Sequence, residues 1–178
     1  MQERVIQEIV NFFNHPFFMV IGGVTTIAML ATAIYILYLV IKGVIPIWYR
    51  LGRGLSAGKI AIFSTNEHTS LESMLIDAKI FKKQNIMNIT TSSDIGRAEK
   101  SNILLVHWKD FQHYLPQILK IKKDRMALII YAPQHEGRIE DQALVEINAR
   151  RNSVIVNFRG RLLNDVVTSL ITISYEWN

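Results

Sequence analysis

Residues 17–41 read FFMVIGGVTTIAMLATAIYILYLVI, a run of 25 positions without a charged or histidine side chain. Crossing the hydrocarbon core of a bilayer takes about 20 apolar residues, and a single segment can satisfy its backbone there only as a helix. The run is too long for the core of a secretory signal peptide, which spans about 7–15 residues. A buried core helix would need a much larger domain around it. The sequence therefore predicts one transmembrane helix near the start of the chain.

Charges on the two sides of this helix predict its orientation. The residues before it carry two acidic groups and one basic group: Glu3, Glu8 and Arg4. The residues after it carry four basic groups: Lys42, Arg50, Arg53 and Lys59. Because loops rich in lysine and arginine stay on the cytoplasmic side, we expect a single-pass protein of the inner (plasma) membrane with its C-terminal domain in the cytoplasm.

The pattern along the chain divides it into four parts. Residues 1–16 alternate apolar and polar side chains at helical spacing, which predicts an amphipathic lead. Residues 17–49 contain the transmembrane helix and an interfacial segment, and Pro46 is expected to end or kink the helix. Residues 50–58 contain three glycines and are predicted to be a linker. Residues 59–178 form the cytoplasmic domain.

Small side chains recur on one side of the predicted transmembrane helix. They are Gly22, Thr25, Thr26, Ala28 and Thr32. Small residues at three- and four-residue spacings let membrane helices approach closely, so we expect a homo-oligomer. The helix lacks the ionisable residues that ion pumps and proton relays normally need, which argues against a transporter.

Composition excludes several other classes of protein. The chain has no cysteine, so disulfides, thiolate nucleophiles and cysteine metal sites are excluded. The net charge of +5 is made of +2 before residue 59 (four basic, two acidic) and +3 after it (16 basic, 13 acidic). Neither part has a block of five or six basic residues, so binding of nucleic acid is not expected.

Apolar segments alternate with helical patterns after residue 58. Predicted strands lie at 59–64, 86–90, 102–107, 126–131 and 154–157, and predicted helices at 68–83, 111–121, 140–150 and 161–174, with a brief helix or turn at 94–100. Continuously apolar strands separated by helices are typical of a parallel sheet covered on both faces. The predicted fold class is α/β: an N-terminal transmembrane helix and a five-stranded, parallel, flavodoxin-like sheet of order 2-1-3-4-5.

In such sheets ligands lie beyond the carboxyl ends of the strands, near the switch between the first and third. The loop after the first strand, residues 64–70, is rich in hydroxyls and opens into a helix whose free amides favour an anion such as phosphate. The candidate ligand-binding residues here and in the loops after the third and fourth strands are Ser64, Thr65, Asn66, His68, Thr69, Trp108 and Arg138. In the alternative interpretation, Thr69 or Ser70 only caps the helix, Trp108 folds over the core, and residues 132–138 form an ordinary loop.

A second group of candidates lies near the end of the chain. Arg159 and Arg161 flank a glycine at a predicted helix start, and arginine binds phosphate or carboxylate through two hydrogen bonds. The fifth strand is an edge in the predicted order, so these arginines should be displaced from the crevice. The last helix is more widely apolar than one core-facing stripe needs. We therefore expect Arg159, Arg161, Val167 and Leu170 at a subunit or partner interface, although Arg161 could simply pair with Asp165.

No catalytic set emerges from the sequence. The five histidines show no metal-binding spacing, so neither a metal nor another cofactor is expected. Ser64 with His68 or His107 is a conceivable nucleophile and base, but any α/β protein offers such pairs. The loops also lack the glycine patterns of dinucleotide-binding and P-loop proteins. We expect a protein that is not an enzyme.

The domain resembles two families of small bacterial α/β modules. The stretch SNILLV at 101–106 is similar to the third strand of TIR domains, and the hydroxyl-rich turn at 64–70 is similar to the first loop of CARF-type domains, which bind cyclic oligoadenylates. A catalytic TIR domain carries a glutamate after this strand, and FQHYL at 111–115 has none. Joined to one membrane helix, the arrangement is similar to membrane effectors of bacterial antiviral defence.

This resemblance implies a sensory domain that binds a nucleotide signal or a protein partner and couples it to assembly of the transmembrane helix, with perturbation of the membrane as the output. One alternative is a membrane scaffold that recruits a cytoplasmic protein. The other is an anchored nucleotide-processing enzyme.

Overall fold

A computed structural model of the chain describes residues 2–13 and 15–175. Met1, Asn14 and residues 176–178, which belong to the predicted lead and domain, lie outside the described residues. Contacts divide the chain into two compact units, residues 1–48 and 49–178. Helix α1 spans Gln2–Phe13 and helix α2 spans Pro16–Ala57.

Helix α2 is longer than expected. It contains one stretch, Pro16–Pro46, that is long and apolar enough to cross a membrane. The helix then continues through Pro46 and through most of the predicted linker. Proline removes one helical hydrogen bond and glycine costs about 1 kcal/mol relative to alanine, but neither forbids a helix when its neighbours favour one. Residues 50–57 of the predicted linker are therefore helical.

The second unit contains the predicted five-stranded parallel sheet. The strands are β1 (Ile60–Phe63), β2 (Ile86–Ile89), β3 (Ile103–His107), β4 (Ala127–Tyr131) and β5 (Ser153–Val156). Their order is β2-β1-β3-β4-β5, and every pair is parallel, which confirms the predicted fold class. The three central strands are buried at every position, because helices cover both faces, whereas the edge strands are partly exposed.

Helices cover the two faces of the sheet in the pattern that right-handed crossovers require. On one face lie α3 (His68–Asp77) and α7 (Arg159–Tyr175). On the other lie α4 (Trp108–Phe111), α5 (Leu115–Ile121), α6 (Asp141–Asn148) and a 3₁₀ segment, Ser92–Lys100. Since α3 and α7 share a face, the loops after β1 and β5 approach each other.

Two predicted helices differ from the observed ones for local reasons. Helix α3 ends at Asp77 rather than at 83, because Lys79 adopts a left-handed backbone with φ of 57° that stops the helix. The predicted helix 111–121 is divided into α4, a 3₁₀ turn and α5, and Pro116 lies in the first turn of α5. Proline is favoured there because its missing N–H has no partner in a first turn.

Candidate functional site

Asp110 connects the ends of two adjacent strands. Its Oδ2 accepts hydrogen bonds from the Ser64 hydroxyl at 2.8 Å, the Thr65 amide at 2.8 Å and the Asn66 amide at 3.3 Å. Ser64 Oγ in turn accepts the Glu67 amide at 2.9 Å. These contacts form because β3 lies beside β1, so that helix α4, which begins directly after β3, meets the loop after β1.

The carboxylate of Asp110 is a fixed anion at this position. Burial acts to raise its pKa, but hydrogen bonds from Ser64, Thr65 and Asn66 and the contact with His107 act against burial and leave the pKa below its usual value. Two amides of the loop that was predicted to hold a phosphate, those of Thr65 and Asn66, are therefore bound to a carboxylate of the protein itself. The β1 loop is an internal anion site rather than an open one.

His107 lies between two carboxylates. Its Nδ1 is 3.1 Å from Asp110 Oδ2 and its Nε2 is 2.8 Å from Glu136 Oε2, and its side chain is only 2% exposed. The distances are those of ion pairs, whereas the ring nitrogens are not aligned for hydrogen bonds. Glu136 belongs to the short 3₁₀ turn Gln134–Glu136 after β4. The three residues Asp110, His107 and Glu136, named here the polar triad, thus join the loops after β1, β3 and β4.

A second polar cluster lies where α3 and α7 begin. The Arg159 guanidinium donates to Glu67 Oε2 at 3.2 Å and to the carbonyl and hydroxyl oxygens of Ser70. Tyr131, at the end of β4, is buried nearby, and this burial raises the pKa of its hydroxyl, while the positive charge of Arg159 acts in the opposite direction. Arg159 therefore contacts the β1 loop, contrary to the expectation that its edge position would keep it away.

The structure brings some of the predicted ligand-binding residues together and separates others. Ser64, Thr65 and Asn66 bind Asp110, and His68 Nδ1 lies 3.0 Å from the Thr65 carbonyl oxygen. Thr69 is exposed, and its carbonyl accepts the Ser73 hydroxyl. Capping of α3 by Thr69 or Ser70 is not observed, since the helix begins at His68 and its cap residue, Glu67, makes no side-chain cap bond.

Trp108 and Arg138 take no part in either polar cluster. Trp108 is 6% exposed and packs in the core with Phe111 and Leu115. The prediction that its ring stacks on a ligand is therefore replaced by the alternative, a ring folded over the core. Arg138 is 85% exposed and lies 3.4 Å from Asp141. It lines a cleft beside β4 and β5 instead of the crevice between β1 and β3.

The residues predicted for a subunit or partner interface also lie in positions that differ from the predicted ones. Leu170 is 2% exposed in the core, so it is not on an outer face, and Val167 is half-buried against the same cluster. Arg161 is exposed with one nitrogen 4.0 Å from Asp165, which agrees with the simpler of the two interpretations. Of the four residues predicted for an interface, only Arg161 is largely free of the fold.

The threonine hydroxyls on α2 are satisfied within the helix. Thr25 donates to the carbonyls of Ile21 and Gly22, Thr26 to that of Gly22, and Thr32 to that of Ala28, at 2.7–3.0 Å. Small side chains leave a shallow groove along this side of the helix, lined by Thr25, Ala28, Met29, Thr32, Ala33 and Ile36. A threonine whose hydroxyl is bonded to its own helix presents its methyl group outward, as a packing surface in lipid requires.

Sequence reasoning missed Asp110 and Glu136. Asp110 had a usable signal: a histidine that ends an apolar strand, followed by an acid one helical turn later. Glu136 had no such signal in the sequence. It precedes Gly137, whose φ of 110° and ψ of 174° give the loop an irregular course, so the position of Glu136 follows no α-helical or strand spacing.

The serine and the histidine of the site are both enclosed by the fold. Ser64 is completely buried and donates a hydrogen bond to a carboxylate, and His107 is almost completely buried between two carboxylates. Within residues 2–13 and 15–175 no cluster of three or more histidine or acidic side chains is arranged to hold a metal ion. In comparisons with known proteins, no protein-family model, no curated protein and no solved structure matches the chain.

Proposed function

We propose that the chain is a single-pass membrane protein whose α/β domain is a regulatory binding module and whose α2 helices associate. The α/β domain responds to a nucleotide signal or a protein partner and performs no reaction of its own. The observation that carries the proposal is the exposed apolar helix Pro16–Pro46, of 31 residues, in the same chain as a doubly covered parallel sheet.

The exposure of α2 supports placing it in lipid. Large apolar side chains such as Ile27, Met29 and Ile34 are about two-thirds exposed or more, and none of the most apolar 18-residue stretch is buried. Exposed apolar surface costs about 25 cal/mol per Å² in water, so a face of this size needs lipid or protein around it. The run also exceeds the core of a cleaved signal peptide, and its helix continues to Ala57.

The polar triad supports regulation rather than catalysis. It joins three loops at the carboxyl edge of the sheet through one imidazole ring, and its members are mostly buried. A ligand or partner that displaces one carboxylate changes the surroundings of the other two loops. A response of this kind, passed to associated membrane helices, is what the resemblance to antiviral membrane effectors implies, with the α/β domain on the cytoplasmic side.

Membrane fractionation of cells that express the full chain tests the anchor. We expect the protein in the membrane pellet, extracted by detergent but not by high salt or alkaline carbonate. Protease added to spheroplasts should leave the α/β domain intact, whereas protease added to inverted vesicles should degrade it. Full-length protein that stays in the supernatant after ultracentrifugation without detergent would contradict the proposal.

Self-association is tested separately, with two variants three residues apart. Ala28→Leu fills the groove on α2, whereas Ala31→Leu makes the same change at a position that does not line it. Native mass spectrometry of the detergent-solubilised chain should show loss of oligomer in the first variant and retention in the second. Equal behaviour of the two variants would place the contact elsewhere.

A further inference from the structure

A cleft opens beside β4 and β5, next to the crevice that Asp110 closes. Its volume is about 360 Å³, within the size range of small-molecule sites, about 300–1,000 Å³. The residues around it are Ala132, Gln134, Gly137, Arg138, Ile139, Leu144, Ile155 and Asn157. Ile139, Leu144 and Ile155 belong to the core cluster of this face or pack against it, so the base of the cleft is apolar and held by the fold.

Three polar side chains at the rim are not committed to the fold. In the described part of the chain, the amides of Gln134 and Asn157 make no side-chain hydrogen bond, although both line the cleft. Within the described residues Arg138 pairs only with Asp141, at 3.4 Å, and both side chains are more than four-fifths exposed. An exposed pair of this kind contributes little, so the guanidinium is available to another anion.

Together these groups have complementary chemistry for one class of ligand. The apolar base fits a flat ring, two amides each offer donors and an acceptor to the edge of a heterocycle, and arginine binds phosphate through two hydrogen bonds. We propose that this cleft binds a purine nucleotide, with the base against Leu144 and Ile155 and the phosphate on Arg138. The inference rests on the proposed function, because the nucleotide is then the signal that the α/β domain binds.

The location differs from the one that the sequence predicts. The β1 loop has hydroxyls and amides but its anion position contains Asp110, whereas the cleft has space and uncommitted groups. Of the seven residues predicted to bind a ligand, only Arg138 lines the cleft.

Equilibrium dialysis of the full-length chain in detergent micelles tests the site, with AMP as the probe and adenosine and inorganic phosphate as comparators. We expect AMP to bind at least about tenfold more tightly than adenosine, since the phosphate adds a charge-assisted hydrogen bond. Inorganic phosphate alone should bind more weakly than AMP, because it lacks the ring. Failure of AMP to bind at concentrations up to about 1 mM overturns the proposal.

Four variants make the test specific to the cleft. Arg138→Gln should reduce AMP binding to the level of adenosine and leave adenosine unchanged, whereas Arg161→Gln, the matched change at an exposed arginine outside the cleft, should alter neither. Asp141→Asn removes the competing carboxylate and should tighten AMP binding. Leu144→Trp fills the cleft and should abolish binding of both ligands, with circular dichroism to verify the fold.

The outcomes separate this inference from the proposed function. AMP binding that is equal in the Arg138 and Arg161 variants, or that survives the filling of the cleft, assigns the nucleotide to another surface and overturns the site. Membrane extraction and self-association of α2 do not depend on any of these results, so either proposal can fail while the other holds.

Discussion

The Ser64 hydroxyl donates a 2.8 Å hydrogen bond to Asp110, a residue 46 positions later in the chain. This bond closes the crevice between β1 and β3, where ligands of doubly wound sheets usually lie. The same carboxylate accepts two backbone amides of the β1 loop, so an anion that enters there has to compete with a residue held in place by α4.

Replacement of Asp110 should destabilise the α/β domain. Asp110→Ala leaves the buried Ser64 hydroxyl and the Thr65 amide without their acceptor, and we expect a loss of about 3 kcal/mol in the free energy of unfolding. Asp141→Ala, at an exposed acid, should change it by less than about 0.5 kcal/mol. Denaturant unfolding of the full chain in micelles, followed by circular dichroism, measures both. Equal effects would mean that the loop is held by other contacts.

Acid should weaken the domain through the same carboxylate. The pKa of Asp110 is lower in the folded than in the unfolded chain, so its contribution to stability is fully present above the unfolded value, about 4, and is lost as pH falls through the lower folded value. Unfolding free energies measured between neutral pH and about pH 3 should therefore fall more steeply for the natural chain than for Asp110→Asn. An equal dependence of the unfolding free energy on pH in the two proteins would contradict the assignment of the acid sensitivity to Asp110.

The contact between His107 and Glu136 should show energetic coupling. His107→Leu leaves two mostly buried carboxylates without the ring between them, and Glu136→Gln removes one of those charges. A double-mutant cycle on the free energy of unfolding should give a coupling of about 1–3 kcal/mol, because directly contacting polar groups are not additive. Additive single changes would show that the 2.8 Å contact does not contribute to stability.

Arg159 should hold α7 to α3. We expect Arg159→Gln to lower the free energy of unfolding by about 1 kcal/mol, since its contacts with Glu67 and Ser70 are only partly shielded from water. Arg161→Gln, two residues away, should have an effect below about 0.5 kcal/mol, because its nearest acid is 4.0 Å away. Thermal unfolding of the two variants measures both effects. A larger loss of stability at Arg161 than at Arg159 would contradict the prediction.

Sequence patterns predicted the sheet and its covering helices well, because strands and helices depend on local runs of residues. Strand β3, ILLVH, is apolar without alternation, as burial on both faces requires, and the order of strands follows from the helical crossovers. The end of α3 was misplaced because one lysine, Lys79, adopts a left-handed backbone that no pattern of apolar residues reveals.

The candidate site was predicted only in part, because it depends on which loops meet. Ser64, Thr65 and Asn66 were identified from their hydroxyl and amide groups, yet their partner Asp110 is 44–46 residues away in the chain. Arg159 was assigned to an outer edge from strand order alone. Because α3 and α7 lie on the same face of the sheet, Arg159 contacts Glu67. The order of the strands does not by itself indicate this contact.

Gly137 has space around it for a side chain, but its backbone conformation favours glycine alone. A methyl group added to its α-carbon would meet nothing within 4 Å, whereas its φ of 110° and ψ of 174° belong to a conformation that is essentially restricted to glycine. In a collection of random variants, this position should therefore reject replacement although an added side chain would meet no other atom, while the exposed His135, two residues earlier and outside the cleft lining, should vary. Constancy of Gly137 across such variants would then report the geometry of its backbone, and would not by itself indicate contact with a ligand.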